Sequence, residues 1–196
     1  MPDYRAFEPP ELRGDERTVK ILVAGHLGAG KTTLVHALSQ ITAISTEEVM
    51  TQASEGIDTT QPGKTTTTVA MDFGRLHLAD DLVLYLFGAP GQERFWPILK
   101  DLARGALGAL ILTDTRRLEE TFPILDIVEN LGLEYAVAVN DFDEAPKRPE
   151  GRLREAMDLP GHTPLVTCDA RDPATSRDAL ITLVRHLYHL TPEPAR

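Results

Sequence analysis

The chain has 196 residues, 42% hydrophobic and 26% charged, the make-up of one globular domain large enough to bury a core of its own. A formal net charge of -10, from 20 basic against 30 acidic side chains, disfavours nucleic acid and anionic lipid as partners. One cysteine, Cys168, excludes an internal disulfide and any multi-cysteine metal centre. No run reaches the roughly 20 apolar residues of a membrane span, and the opening residues carry no apolar signal core. Neither a myristoylation nor a prenylation pattern is present. The expected compartment is the cytoplasm, with no direct membrane insertion and any recruitment to a membrane coming through a partner.

Residues 1–17 are polar, acidic and proline-bearing and are expected to form a flexible tail, as are residues 191–196; one folded unit is expected over 18–190. The apolar run 19–24 reads as a strand buried on both faces. A helical pattern follows at 32–39. Residues 66–78 alternate Val69, Met71 and Phe73, with Leu76 and Leu78 near the end, as a half-exposed strand does. Ala79-Asp80-Asp81 turns that strand directly into the apolar run 82–87, so the two are expected to be antiparallel. Then come a helix at 97–103, a strand at 106–113 and a helix at 122–130, with Thr121 as its cap and Pro123 in its first turn. A strand at 136–139, a helix at 149–157, a strand at 165–167 and a helix at 177–190 complete the order. In the last, Leu180, Leu183, Val184, Leu187 and Leu190 recur at helical spacing as core. The alternation predicts an α/β fold: a six-stranded, mostly parallel sheet with one antiparallel edge strand and helices on both faces.

Between the first strand and the first helix, Gly25-His26-Leu27-Gly28-Ala29-Gly30-Lys31-Thr32 fits G-x-x-x-x-G-K-[ST] in full. The glycines let successive N–H groups point inward at phosphate oxygens. The helix that opens near Lys31 adds its positive end. Lys31 places a point charge on the β- and γ-phosphates, and the Thr32 hydroxyl can ligate Mg²⁺. Position 26 is unconstrained by the motif, so His26 is expected to be a spectator. Kinases, ATPases and GTPases all share this loop.

Three later segments discriminate. Gly88-Ala89-Pro90-Gly91-Gln92-Glu93-Arg94-Phe95 follows one predicted strand, Asn140-Asp141-Phe142-Asp143 ends another, and Thr167-Cys168-Asp169-Ala170-Arg171 ends the last. In this order the chain resembles the Ras-like small GTPases. The G-x-P-G-Q form and Asp114-Thr115-Arg116-Arg117 resemble bacterial members of the conservon type, relatives of the gliding-motility polarity GTPases. The resemblance spans residues 18–190. It implies a GTP/GDP switch in bacterial signalling that takes GTP and Mg²⁺, with a roadblock-type regulator and a sensor-kinase-like protein as partners. By resemblance, Gly25, Gly28, Ala29, Gly30, Lys31, Thr32, Thr33 and Gly91 bind the phosphates, Thr32 and Thr68 hold the metal, and Gln92 orients the attacking water. Asn140 braces the loops, Asp143 accepts from guanine N1–H and N2–H₂, and Ala170 offers its N–H to guanine O6. Adenine has no donor at N1 and would leave the carboxylate unpaired.

Four departures from that pattern accompany it. Gly88 stands where an aspartate usually helps to hold Mg²⁺, Asp141 replaces the lysine that lies over the base, and Leu27 fills a P-loop position usually kept small. Thr67 stands where the polarity relatives carry an intrinsic arginine, and Lys64 and Arg94 read as solvated surface residues. These predict slow turnover, on the order of 10⁻⁴ to 10⁻² s⁻¹, the span of Ras and Gα. Two alternatives stay open. One is a GTP-binding scaffold with little or no hydrolysis. The other is a P-loop kinase or ATPase in which Arg152 and Arg154, or Arg116 and Arg117, would serve a lid.

Overall fold

The computed structural model describes residues 11–45 and 71–190. Seven strands form one sheet in the order β2-β3-β4-β1-β5-β6-β7. They are β1 (Arg17–Gly25), β2 (Ile44–Ser45), β3 (Asp72–Ala79), β4 (Leu82–Gly88), β5 (Gly108–Thr113), β6 (Tyr135–Asn140) and β7 (Leu165–Cys168). β4, β1, β5, β6 and β7 run parallel, and β3 is antiparallel to both neighbours. The helices are α1 (Lys31–Leu38), α2 (Trp96–Ala103), α3 (Phe122–Asn130), α4 (Glu150–Ala156) and α5 (Pro173–Leu190). The predicted class holds, and β2, two residues long, adds a seventh strand outside β3. Among the described residues no helix is long and apolar enough to cross a membrane.

The continuous apolar runs become strands because both sheet faces are covered. Ile21, Val23, Leu110, Leu112, Ala136 and Ala138 pack against Leu34 and Val35 of α1 and Leu180 and Leu183 of α5. Their neighbours Leu22, Ala24, Ala109, Ile111, Val137 and Val139 pack against Leu99 of α2, Ile124 and Val128 of α3 and Leu153 of α4. Alternate residues thus feed two cores, the two-residue period of a strand. In β3, Asp72, Gly74 and Leu76 take the buried positions. Phe73 is half-buried on the other face, its ring 5.7 Å from that of Tyr85 and 5.2 Å from that of Phe87.

Two local readings are corrected. Thr121 does not cap α3; its hydroxyl meets that of Thr113 at 2.5 Å, because both are fully buried and satisfy each other. α5 starts a turn before the predicted Arg177, where the Asp172 carboxylate accepts from the Ala174 N–H at 3.0 Å and Pro173 takes the first position. Of the expected tails, residues 1–10 and 191–196 lie outside the described residues, as does 66–70 of the predicted second strand.

Candidate nucleotide-binding site

The P-loop lies between β1 and α1. Gly25, Gly28 and Gly30 have φ of 149°, 79° and 104°, and this left-handed sequence of turns wraps the chain into a cradle before α1 starts at Lys31. Lys31 is only 8% exposed and folds back over the loop, donating to the Gly25 and His26 carbonyls at 2.9 and 2.8 Å. Burial pulls its pKa from 10.5 to about 8, against the opposing pull of the Asp72 carboxylate.

A cleft of about 480 Å³ opens over the cradle at the carboxyl ends of the parallel strands. Gly28, Gly30, Lys31, Thr32 and Thr33 line its floor, Gly91 and Gln92 one wall, and Asn140, Asp141, Ala170 and Arg171 the far end. Ala29 is fully buried beneath the floor, and Gly25 contributes its carbonyl to Lys31. Gly91 packs onto the P-loop so closely that a Cβ there would lie 2.6 Å from the Leu27 nitrogen and 2.7 Å from Lys31 Nζ. Only glycine lets the segment after β4 close down on the lysine. Thr68 lies outside the described residues.

At the far end, Asn140 is buried and its carboxamide is shared. Nδ2 donates to the Ala29 carbonyl at 2.9 Å, and Oδ1 accepts from the Ala170 N–H at 3.0 Å. The Ala170 amide, expected to meet the base, donates to Asn140 in this structure. The cause is register, since β6 and β7 end level with Asn140 opposite Cys168 and bring the carboxamide under the loop. Replacing Asn140 with alanine would orphan both groups, and a loss of about 2 kcal/mol or more in stability is expected. Denaturant unfolding of the variant without nucleotide checks this. An unchanged midpoint would mean the two bonds carry no load.

Asp143 does not itself line the cleft; it is exposed, and Arg171, which does line it, donates to its two carboxylate oxygens at 3.1 and 3.2 Å. Those bonds hold its pKa below the ordinary carboxylate value. Arg171 also clasps Asp169. Asp141 pairs with Lys147, and the Phe142 ring lines the cleft with the Arg116 guanidinium stacked 3.6 Å from its centre.

A family model described as a conserved hypothetical ATP binding protein, ATP_bind_1, matches residues 23–190. The chain belongs to this family. No curated protein matches it. Among solved structures it is similar to the G domain of the T. maritima FeoB iron transporter, at 18% identity and a TM-score of 0.60, over 87% of this chain and 99% of that one. The fold is thus that of a nucleotide-binding P-loop G domain. Neither comparison points to the conservon or gliding-motility type, so that finer expectation rests on the motifs alone.

Within this ATP_bind_1 member, the structure adds residues that the motifs did not single out. Asp72 lines the cleft with its carboxylate buried, and the Thr32 hydroxyl donates to its Oδ2 at 2.7 Å. Arg117 reaches across from the turn after β5 and donates to the Leu27 carbonyl at 2.7 Å. His26 is 2% exposed, with Nδ1 2.9 Å from the Leu27 carbonyl and Nε2 3.4 Å from Asp114 Oδ2. It packs between the P-loop and the end of β5, and its buried Nε2 makes no hydrogen bond among the described residues.

The donor set suits Mg²⁺. The Thr32 hydroxyl and Asp72 carboxylate are hard oxygen donors 2.7 Å apart beside the cradle. Among the described residues no group of three or more His, Cys, Asp or Glu side chains is assembled for a metal. A cation here would draw most of its coordination from phosphate and water, which is how Mg²⁺ binds with nucleotides.

Proposed function

We propose that this chain is a guanine-nucleotide switch that binds GTP with Mg²⁺ and hydrolyses it slowly. The observation that carries the reading is the double use of Asn140, which ties the P-loop to the turn after β7, while Asp143 is joined to that turn through Arg171, a residue that lines the cleft. A carboxylate at that place accepts two hydrogen bonds from the guanine edge, whereas adenine would turn a lone pair toward it.

In this reading Lys31 exchanges its two carbonyl partners for phosphate oxygens. The amides of the P-loop, with glycines where the backbone must approach, close around the β-phosphate. Thr32 would hold Mg²⁺, joined by Thr68 on resemblance. When bound, Mg²⁺ neutralises charge that develops on the transferred phosphoryl group. Gln92, on the cleft wall, orients water. Leu27 is 53% exposed at the mouth and narrows the approach of water or of an external arginine, which favours slow turnover. Loss of the γ-phosphate then frees the segment carrying Gly91 and Gln92, and the output is a changed surface. A roadblock-type regulator and a sensor-kinase-like partner belong to the proposal through motif resemblance.

The family's description favours a second reading, an ATP-binding protein. Competition against a labelled GTP analogue separates the two. Excess unlabelled GTP should displace the label and excess ATP should not; equal displacement would overturn the guanine reading. Single-turnover phosphate release on the same sample then distinguishes a switch from a scaffold, for which bound GTP would persist without release above background.

A further inference from the structure

We propose that Asp72 supplies the metal-positioning carboxylate of this site, the acid having moved from β4 to its cross-strand partner on β3. The inference rests on the nucleotide-site reading but not on which base is bound. Three observations meet on it.

Asp72 pairs directly with Gly88 across the antiparallel β3–β4 ladder. Gly88 is the position where the resemblance calls for an aspartate. A Cβ added to Gly88 would stand 2.9 Å from the Asp72 Cβ and 3.0 Å from its Oδ2. The Asp72 carboxylate therefore fills the space that a side chain at 88 would claim, and the glycine is what admits it.

Asp72 is 6% exposed and still lines the cleft. A carboxylate is costly to withdraw from water without matching partners. Its partners here include the Thr32 hydroxyl and, through space, the Lys31 ammonium, so it is directed at the phosphate side of the site.

The direction of the Thr32 bond also matters. A hydroxyl whose oxygen ligates a cation keeps its lone pairs for the cation and must give its proton elsewhere. Asp72 Oδ2 takes that proton at 2.7 Å. The acid thereby turns the Thr32 oxygen toward a cation and adds a negative charge to the cation's hydration shell.

The test uses the full chain, the variants Asp72→Asn and Gly88→Asp, and the swap Asp72→Gly/Gly88→Asp. Methylanthraniloyl-GDP, with the ADP analogue in parallel, is titrated in EDTA and at graded Mg²⁺. In Asp72→Asn, metal-free affinity should hold or rise, because a charge that repels phosphate is gone. The Mg²⁺ concentration for half-maximal tightening should rise by about tenfold or more, the usual cost of losing a supporting partner of a metal ligand. Gly88→Asp alone should lose thermal stability, since two carboxylates then crowd one space. The swap should recover the parent's Mg²⁺ response, and it keeps the proposal open to refutation if Asp72→Asn fails to fold. An unchanged Mg²⁺ requirement in Asp72→Asn, an equal fall in affinity with and without metal, or a swap with no Mg²⁺ response would overturn the assignment of Asp72 alone. A parent chain that retains neither labelled nucleotide would bring down the nucleotide reading together with it.

Discussion

Replacing Lys31 with methionine is expected to leave the empty protein at least as heat-stable as the parent while lowering triphosphate affinity by roughly 10²–10⁴-fold, the effect of removing one partner of a buried charge pair. The two outcomes come from one fact. The lysine is buried, and burial takes its pKa from 10.5 in water to about 8, a difference of about 3 kcal/mol held against the folded state. The unfolded chain keeps its proton up to about 10.5, so the penalty is complete below pH 8 and fades as pH climbs toward 10.5. Methionine fills the same space without a charge. It leaves the Gly25 and His26 carbonyls without the bonds the ammonium makes, which returns roughly 1–3 kcal/mol of the gain. Thermal melts at pH 7 and pH 10 should show the variant's advantage shrinking at the higher pH. If the variant binds triphosphate within about threefold of the parent, the cradle does not depend on this charge and the site reading fails.

Asp143→Asn is expected to exchange the base that the cleft prefers. The carboxylate offers acceptors only, which matches the N1–H and N2–H₂ of guanine. A carboxamide offers one acceptor and one donor, which matches xanthine, where an oxygen replaces the amino group. Sites built around such hydrogen bonds discriminate on the order of 10⁴-fold, so the preference for GTP over XTP should reverse by an effect of that size. Asp143 is exposed and held by Arg171, so the substitution costs little structure, and the variant's melting temperature serves as the control. Binding isotherms with GTP, XTP and ATP read the result. A parent that takes GTP and ATP alike, or a variant whose preferences do not move, would show that Asp143 does not face the base.

Much of the architecture is legible in the residues because the strands are buried on both faces and the helices are not. Leu82–Gly88 and Gly108–Thr113 are apolar save for Tyr85 and Thr113, while the helices show spaced apolar positions, and the boundaries fall within a few residues of the observed ones. The P-loop is legible because its glycines, lysine and threonine are contiguous. What the residues leave open is the detail of pairing. Asp72 and Gly88 lie on the two arms of a hairpin that the chain predicts, and its register, with an irregularity between His77 and Ala79, makes them partners. The Ala170 amide is a backbone donor, and nothing in the identity of residue 170 says that Asn140 would claim it. β2 is two residues long, too short to show any period. The early start of α5 is different: Asp172-Pro173 is an ordinary helix-opening pair, and it marks the boundary in the chain itself.

Asn140 also bears on how such a protein diversifies. Its carboxamide is locked into the floor and the far wall at once, so a change there disturbs the P-loop and the turn after β7 together. Asp143 and Arg171 hang at the solvent edge, attached mainly to each other and to Asp169. On the proposed reading, Asp143 and Arg171 are open to change while the fixed joint underneath stays untouched, and a guanine preference inside a family described as ATP-binding would reside in those surface residues.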